Sequence, residues 1–211
     1  MARVVVTRPS GRERELLEAL RADGHDVSHV PLVAIETVGD VPVDVGAYDW
    51  VVLTSATGAR ELRRRMRGVP KRVAAIGPAT ARAFEGADVV ASPSTQEGLL
   101  AAMPAAPGRV LLAGAEGARR LLPDALGADV VVLYRTVPLV PETWPECDLV
   151  VVASSSAASA YAALRRPAPV VSIGPETTRA AREAGLTVLA EATTTDVAGL
   201  VVAVRRALAT P

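Results

Sequence analysis

Two phrases in this chain carry the same small set of chemical groups: Ile76-Gly77-Pro78-Ala79-Thr80 and Ile173-Gly174-Pro175-Glu176-Thr177. Each glycine removes a side chain, so a ligand can approach the backbone closely. Each proline suits the first turn of a helix, where its missing N–H would be unpaired in any case. Thr80, Thr177 and the adjacent Thr178 add hydroxyls to the free N–H groups of that turn. A helix start so furnished binds a carboxylate or phosphate without a cationic side chain. Two further loops are rich in hydroxyls, LTSATG (53–58) with Thr54 and Ser55, and VASSSAA (152–158) with Ser154, Ser155 and Ser156. The loop TRPSG (7–11) adds Arg8. Capping alone would account for Ser55 or Ser154, and a single Gly-Pro-x-Thr phrase needs no role beyond a cap and a turn. Two copies alongside two Ser-rich loops favour an anion-binding edge. Arg8 reads equally as a surface bridge or as a cation of that edge.

The elements that must carry these loops alternate along the chain. Val-rich runs at 3–7, 25–30, 49–53, 72–76, 88–91, 109–113, 129–133, 148–152, 169–173 and 186–190 read as strands. Helical patterns fill the gaps at 11–22, 56–67, 78–85, 95–103, 117–126, 156–165, 175–184 and 196–209. Short continuous apolar runs suit strands covered on both faces, and the alternation with helices is that of parallel α/β construction. Ligands of such sheets sit beyond the carboxyl ends of the strands, where all the loops above fall.

The order is also repeated. DWVVLTSATGAREL begins at Asp49 and DLVVVASSSAASAY at Asp148, 99 residues later; Ile76 and Ile173 are 97 apart; GADVVASP (86–93) is echoed by GLTVLAEA (185–192). Four ordered echoes, counting the looser match of 3–20 to 109–126, indicate a duplicated half. A cut at the midpoint does not divide the strands evenly. Residues 48–133 hold five strands, enough for a flavodoxin-sized sheet, whereas the N-terminal stretch has two and the tail from 147 has three. This count predicts one lobe from 1–33 with 145–211 and another from 44–133, joined by paired linker strands at 34–43 and 134–144, with a cleft between lobes.

Composition narrows the function. Half the residues are hydrophobic and the formal net charge is zero, which gives no general attraction to nucleic acid or to an anionic membrane. No apolar run approaches the ~18 residues of a membrane span, and no export signal is visible at the start, so a cytoplasmic protein is expected. Cys147 is the only cysteine, which forbids an intrachain disulfide. Beside Asp148 at a strand start it reads as structural. The basic run 60–67 reads as a solvated helix face. His25 and His29 lack companion ligands, so no metal is expected, and no Gly-x-Gly-x-x-Gly or phosphate-binding Gly-Lys-Ser/Thr loop is present.

The ordered set of TRP near the start, YDWVVLTSATGA, AAIGPATARA, LYRT, DLVVVASS and IGPETTRAA resembles the uroporphyrinogen-III synthase family over essentially the whole chain. The resemblance implies two flavodoxin-like lobes joined by a two-stranded ladder. It implies cyclisation of hydroxymethylbilane to uroporphyrinogen III, with inversion of ring D through a spirocyclic pyrrolenine, release of water, and no metal or organic cofactor. The substrate carries eight carboxylates, which fits an edge of hydroxyls and backbone amides. Tyr134, in LYRT, matches the family's tyrosine proposed to assist hydroxyl loss, while Ser55, Ser154 and Thr177 match its hydroxyl positions. A monomer is implied, with transient contact to the upstream hydroxymethylbilane synthase as its partner. The chain departs from the family pattern at Glu176, where a hydroxyl is frequent, at Ala118, which precedes Arg119, and at Ala153, where Thr is common. The alternative is a non-catalytic bilobal sensor or binding module that clamps a polycarboxylate ligand.

Overall fold

In the first strand, β1 (Arg3–Val6), Val4 and Val6 turn to one face and pack with Leu16, Leu17 and Leu20, while Val5 joins Leu32 and Tyr161 on the other. This period of two, apolar on both faces, is what a sheet covered on both sides requires. The structure is a computed structural model and describes residues 1–209; the last two residues of the predicted 145–211 segment lie outside the described residues. Helix α1 (Arg14–Ala22) follows β1 and buries Leu16, Leu17 and Leu20. β2 (Asp26–His29) pairs parallel with β1.

The chain then enters β3 (Val33–Thr37), a two-residue strand β4 (Val43–Asp44), and β5 (Trp50–Leu53), all four of whose residues are buried. Helix α2 (Ala56–Arg65) is followed by β6 (Met66–Arg67), β7 (Val73–Ala75), α3 (Pro78–Phe84), β8 (Val89–Val90) and α4 (Gln96–Ala102). β9 (Val110–Ala115), α5 (Leu121–Leu126) and the ten-residue β10 (Asp129–Pro138) complete the middle of the chain. The remainder forms β11 (Leu149–Val152), α6 (Ser155–Ala163), β12 (Val170–Ser172), α7 (Pro175–Glu183), β13 (Val188–Glu191) and α8 (Val197–Ala209).

Two sheets hold most of these strands. One has the order β13-β12-β11-β1-β2, drawing two strands from the start of the chain and three from its end, all parallel. The other has the order β3-β10-β9-β5-β7-β8, in which the core pairs are parallel. Two compact units result, Met1–Ile35 with the chain from Val137 onward, and Glu36–Thr136. This is the α/β architecture of parallel-sheet lobes that the alternation of strands and helices predicts. In the second unit Trp50, Val52, Ala74, Leu99, Val110, Leu112 and Leu122 form the core on one face. Each buried Leu or Val there contributes about 1.5–3 kcal/mol.

Three local features differ from the sequence reading. The strand expected to end at 133 runs on to Pro138, so Tyr134 sits within a continuous strand and not at the start of a separate linker. The extended connection 30–44 contains β3, which neighbours β10 in the sheet; Val38 N–H donates to the Leu133 carbonyl (2.9 Å) and Leu139 N–H to that of Leu32 (2.8 Å), so the two strands run in opposite directions. The basic run 60–67 is not a wholly solvated face. Arg65 is buried, and its guanidinium donates to the carbonyls of Val38 (2.9 Å) and Val41 (2.9 and 3.1 Å), tying the chain after β3 to the end of α2. These bonds to backbone oxygens satisfy a charge that would otherwise be costly to bury. Among the described residues no helix is long and apolar enough to cross a membrane.

Candidate active site

In the unit Glu36–Thr136, the groups singled out by the sequence lie where β5, β7 and β9 end and the next segments begin. Ser55 follows β5 in an extended conformation and caps α2, its hydroxyl accepting from Gly58 N–H at 3.0 Å. Tyr134 reaches the same hydroxyl from β10: its Oη lies 2.8 Å from Ser55 Oγ, and the residue is 8% exposed. A register shift between β10 and β9 sets this up. Val132 pairs with Gly114 and Tyr134 with Ala115, so one extra residue on β10 breaks the strict alternation at Leu133. Such a bulge re-aims the side chains around it. Gly58 eases a close approach here, because a Cβ on it would stand at a tight 3.2 Å from both the Ala113 carbonyl and Ser55 Oγ. Thr54 lies beside β9, and a side chain at Gly114 would come 3.3 Å from its Oγ1.

Gly77 starts α3, and a Cβ there would press on Ser94, 2.5 Å from its Oγ and 3.0 Å from its Cβ. Gly77 is extended, so the glycine serves close packing and not backbone strain. Thr80 is nearly buried at 4% exposure, and no hydrogen bond to its hydroxyl occurs among the described residues.

The other unit repeats the arrangement with its own chemistry. Ser154 caps α6, accepting from Ala157 N–H (3.1 Å) and lying 3.1 Å from Ser156 Oγ. The Ser155 hydroxyl donates to the Glu176 carbonyl at 3.1 Å. Gly174 starts α7, and a Cβ on it would meet Thr195 Cγ2 at 3.1 Å. Thr177 is 5% exposed and, like Thr80, its hydroxyl has no hydrogen-bond partner among the described residues. Beyond β1, Thr7 donates to the Val151 carbonyl (2.8 Å), and His29 Nε2–H donates to the Arg8 carbonyl (2.8 Å), which fixes the loop backbone. Burial pushes the Arg8 guanidinium below its ordinary pKa, with Glu15 and Glu13 opposing from a distance. No carboxylate forms an ion pair with it among the described residues. A partly desolvated, unpaired guanidinium is a receptor for an anion.

The profile of the family described as uroporphyrinogen-III synthase HemD matches residues 14–202. The chain belongs to the uroporphyrinogen-III synthase family. A curated relative from Methanocaldococcus jannaschii, described as a putative uroporphyrinogen-III synthase, is 26% identical over 148 residues, which cover 64% of this chain and 62% of the relative. The match therefore spans less than two thirds of that relative's length. Among solved structures, a mutant uroporphyrinogen III synthase from the extremely thermophilic bacterium Thermus thermophilus aligns over the whole of both chains with a TM-score of 0.71 at 19% identity. The uroporphyrinogen-III synthetase of Helicobacter pylori also aligns over the whole of both chains, with a TM-score of 0.63 at 16% identity. At these identities the likeness speaks for the fold.

Within this member of the uroporphyrinogen-III synthase family, one residue of the expected set is placed differently from the rest. Thr178 is turned away from the loop edge. Its hydroxyl donates to the Glu191 carboxylate and lies 2.6 Å from Ser172 Oγ. Because its one proton is given to the carboxylate, Ser172 must be the donor to Thr178. The network is internal, and Thr178 supports α7 from behind. Ser172 and Glu191 were not legible as partners, since nothing in spacing alone joins them.

A second hydroxyl cluster is missing from the sequence reading. Ser94, Thr95 and Gly98 correspond to Thr195, Asp196 and Gly199, each pair 101 residues apart. Thr95 Oγ1 accepts from Gly98 N–H (3.0 Å), and Asp196 Oδ1 from Gly199 N–H (2.8 Å). Carrying the repeat through a two-residue insertion that falls before Glu191 would have revealed it. Among the described residues no group of three or more His, Cys, Asp or Glu gathers as a metal site would need. Burial pushes the Cys147 thiol up, which keeps it protonated and suits a structural residue.

Proposed function

We propose that this chain closes hydroxymethylbilane to uroporphyrinogen III, inverting ring D and releasing water, as a cofactor-independent cyclising lyase of tetrapyrrole biosynthesis. The observation that carries the reading is the Tyr134 hydroxyl, held 2.8 Å from Ser55 at the loop edge of its sheet, in a chain of the synthase family. The hydroxymethyl group must leave as water. In this reading Tyr134 donates the proton, the electron-rich pyrrole expels the oxygen, and an azafulvene electrophile remains. The proton lost when the attacking ring regains aromaticity returns to the tyrosine oxygen, so water is the only by-product.

The substrate itself supplies nucleophile and electrophile. The protein's remaining task is to fold the chain so that the substituted carbon closes first. Thr80 and Thr177, whose hydroxyls have no hydrogen-bond partner among the described residues, and the amides behind Gly77 and Gly174 are read as carboxylate contacts, with Thr54 and Ser154 beside them, while Ser155 gives its proton to the Glu176 carbonyl and holds that loop. Arg8 supplies charge. We also propose a cytoplasmic monomer that takes its substrate from the hydroxymethylbilane synthase by transient contact.

The test generates hydroxymethylbilane in situ, adds this protein, oxidises the products and separates isomers I and III. Isomer III as the main product supports the reading; isomer I alone from folded protein replaces it with a binding module. Tyr134→Phe is expected to lower kcat about 100-fold while moving KM less than about threefold. An unchanged kcat would reduce Tyr134 to a packing residue.

A further inference from the structure

We infer that Ser55 is a positioning residue of this reaction: its hydroxyl turns the Tyr134 proton outward, toward the departing oxygen. The inference rests on the reading of Tyr134 as proton donor.

Hydrogen-bond capacity sets the direction of the contact. Ser55 Oγ has one proton and two lone pairs. Gly58 N–H occupies one lone pair at 3.0 Å and can accept nothing in return. Tyr134 Oη, 2.8 Å away, is the remaining side-chain partner of Ser55. If Tyr134 donated, its own proton would point inward and the serine proton would have no acceptor at this contact. If Ser55 donates, every group is used once and the tyrosine proton is free. The amide bond from Gly58 favours the second arrangement, because accepting a hydrogen bond makes a hydroxyl a better donor.

The chain of donors then runs in one direction, from Gly58 N–H to Ser55 O–H to Tyr134 O–H to the leaving oxygen. Its first member belongs to the opening turn of the ten-residue α2, whose positive end lies behind negative charge growing on the tyrosine oxygen. When the tyrosine has given its proton, the Ser55 O–H already points at the phenolate, with no reorganisation needed. A direct role for Ser55 as a carboxylate ligand is not compatible with this arrangement, since its only proton is spent on Tyr134.

Four variants assayed for isomer III decide the matter. Ser55→Gly removes the hydroxyl and weakens the helix cap only slightly. It should lower kcat about tenfold, the worth of one hydrogen bond to a developing charge, with KM within about twofold. Ser55→Thr keeps both lone pairs and proton and should recover kcat to within about threefold of the parent. Ser55→Asp caps as well as serine but has no proton to pass on, so kcat should fall at least as far in a protein whose helix is secure. In a Tyr134→Phe background, Ser55→Gly should cost no further kcat, because the group it serves is gone.

A raised KM with unchanged kcat in Ser55→Gly would make Ser55 a substrate ligand and overturn the inference. So would an equal kcat loss in the Tyr134→Phe background. Failure of the Tyr134 reading is visible separately, as full activity of the single Tyr134→Phe variant.

Discussion

Behind the start of α7 the chain places Ser172, Thr178 and Glu191; behind the start of α3 the corresponding residues are Ala75, Ala81 and Val90. The same backbone phrase is therefore braced by a hydrogen-bond network in one unit, whereas the corresponding residues of the other carry no polar side chain and Val90 is exposed. The loops differ in the same sense. The unit containing α7 carries Arg8 after β1 and Glu176 in the first turn of α7, where the other has Gly114 at the end of β9 and Ala79 in α3. That second unit instead carries the hydroxyl pair of Ser55 and Tyr134. Duplication supplied two equivalent edges. On the proposed function, one edge carries a fixed charge at Arg8 and a hydrogen-bonded support behind α7, and the other carries the proposed proton donor Tyr134 with Ser55.

The largest expected break in this comparison comes from Arg8. Arg8→Gln removes a partly desolvated charge that no carboxylate among the described residues pairs with. A charge-assisted hydrogen bond contributes about 1.5–3 kcal/mol, so KM should rise on the order of 10- to 100-fold with kcat far less affected. A steady-state assay of isomer III formation reads both constants. An unchanged KM would show that this edge does not hold the substrate through charge. Next comes Thr178→Val, which keeps shape but deletes the hydroxyl between Ser172 and Glu191. Two buried or half-buried groups lose their partners, and stability should fall by about 1–3 kcal/mol in urea unfolding. Hydrogen exchange should quicken along β12 and β13 and not along β7 and β8.

Much of this was legible in the sequence, and for a physical reason. Valines buried on both faces of a strand leave continuous apolar runs, so β1, β5, β11 and β12 stand out, and the count of two strands and three shows how the end sheets combine. Loop identity was legible too, since a cap and a Gly-Pro turn are set by local residue types. Contacts across the sheet were not. The bond between Ser55 and Tyr134 depends on one extra residue in β10, and a register shift leaves no mark on hydropathy. Thr178 reads like its neighbour Thr177, yet one helix position, about 100° of rotation, turns its hydroxyl into the protein. Arg65 sits in a run of arginines that composition alone assigns to solvent, and the carbonyls of Val38 and Val41, with the Glu61 carboxylate 3.7 Å away, explain its burial.

Smaller effects sharpen the comparison. Thr80→Val and Thr177→Val each remove a hydroxyl that makes no bond among the described residues, so neither should destabilise its unit appreciably. If both serve carboxylates, each should raise KM by about two- to tenfold, the range for one hydrogen bond of about 0.5–1.5 kcal/mol. Amides of the same turn share the contact, so complete loss of activity in either variant would contradict a shared wall. A rise for one threonine alone would mean that only one edge meets the substrate.

The smallest effect expected has the most informative sign. Glu176 sits in the first turn of α7, the helix end that favours negative charge, and its carboxylate pairs with Arg179 at 3.1 Å. At that position it occupies the same favourable field that a substrate carboxylate would seek, and it repels such a group besides. Glu176→Ala, which copies the other unit's Ala79, should therefore lower KM by about two- to fivefold, corresponding to ~0.3–1 kcal/mol. The gain should shrink as salt is raised, since both partners are solvated and screened. The reciprocal change, Ala79→Glu, should raise KM by a similar factor if the α3 edge also takes a carboxylate. Opposite signs from the two substitutions would establish that both edges act on the same anionic substrate and that Glu176 moderates one of them. A KM that rises in Glu176→Ala would instead assign Glu176 a supporting role, holding Arg179 and the turn of α7 in place.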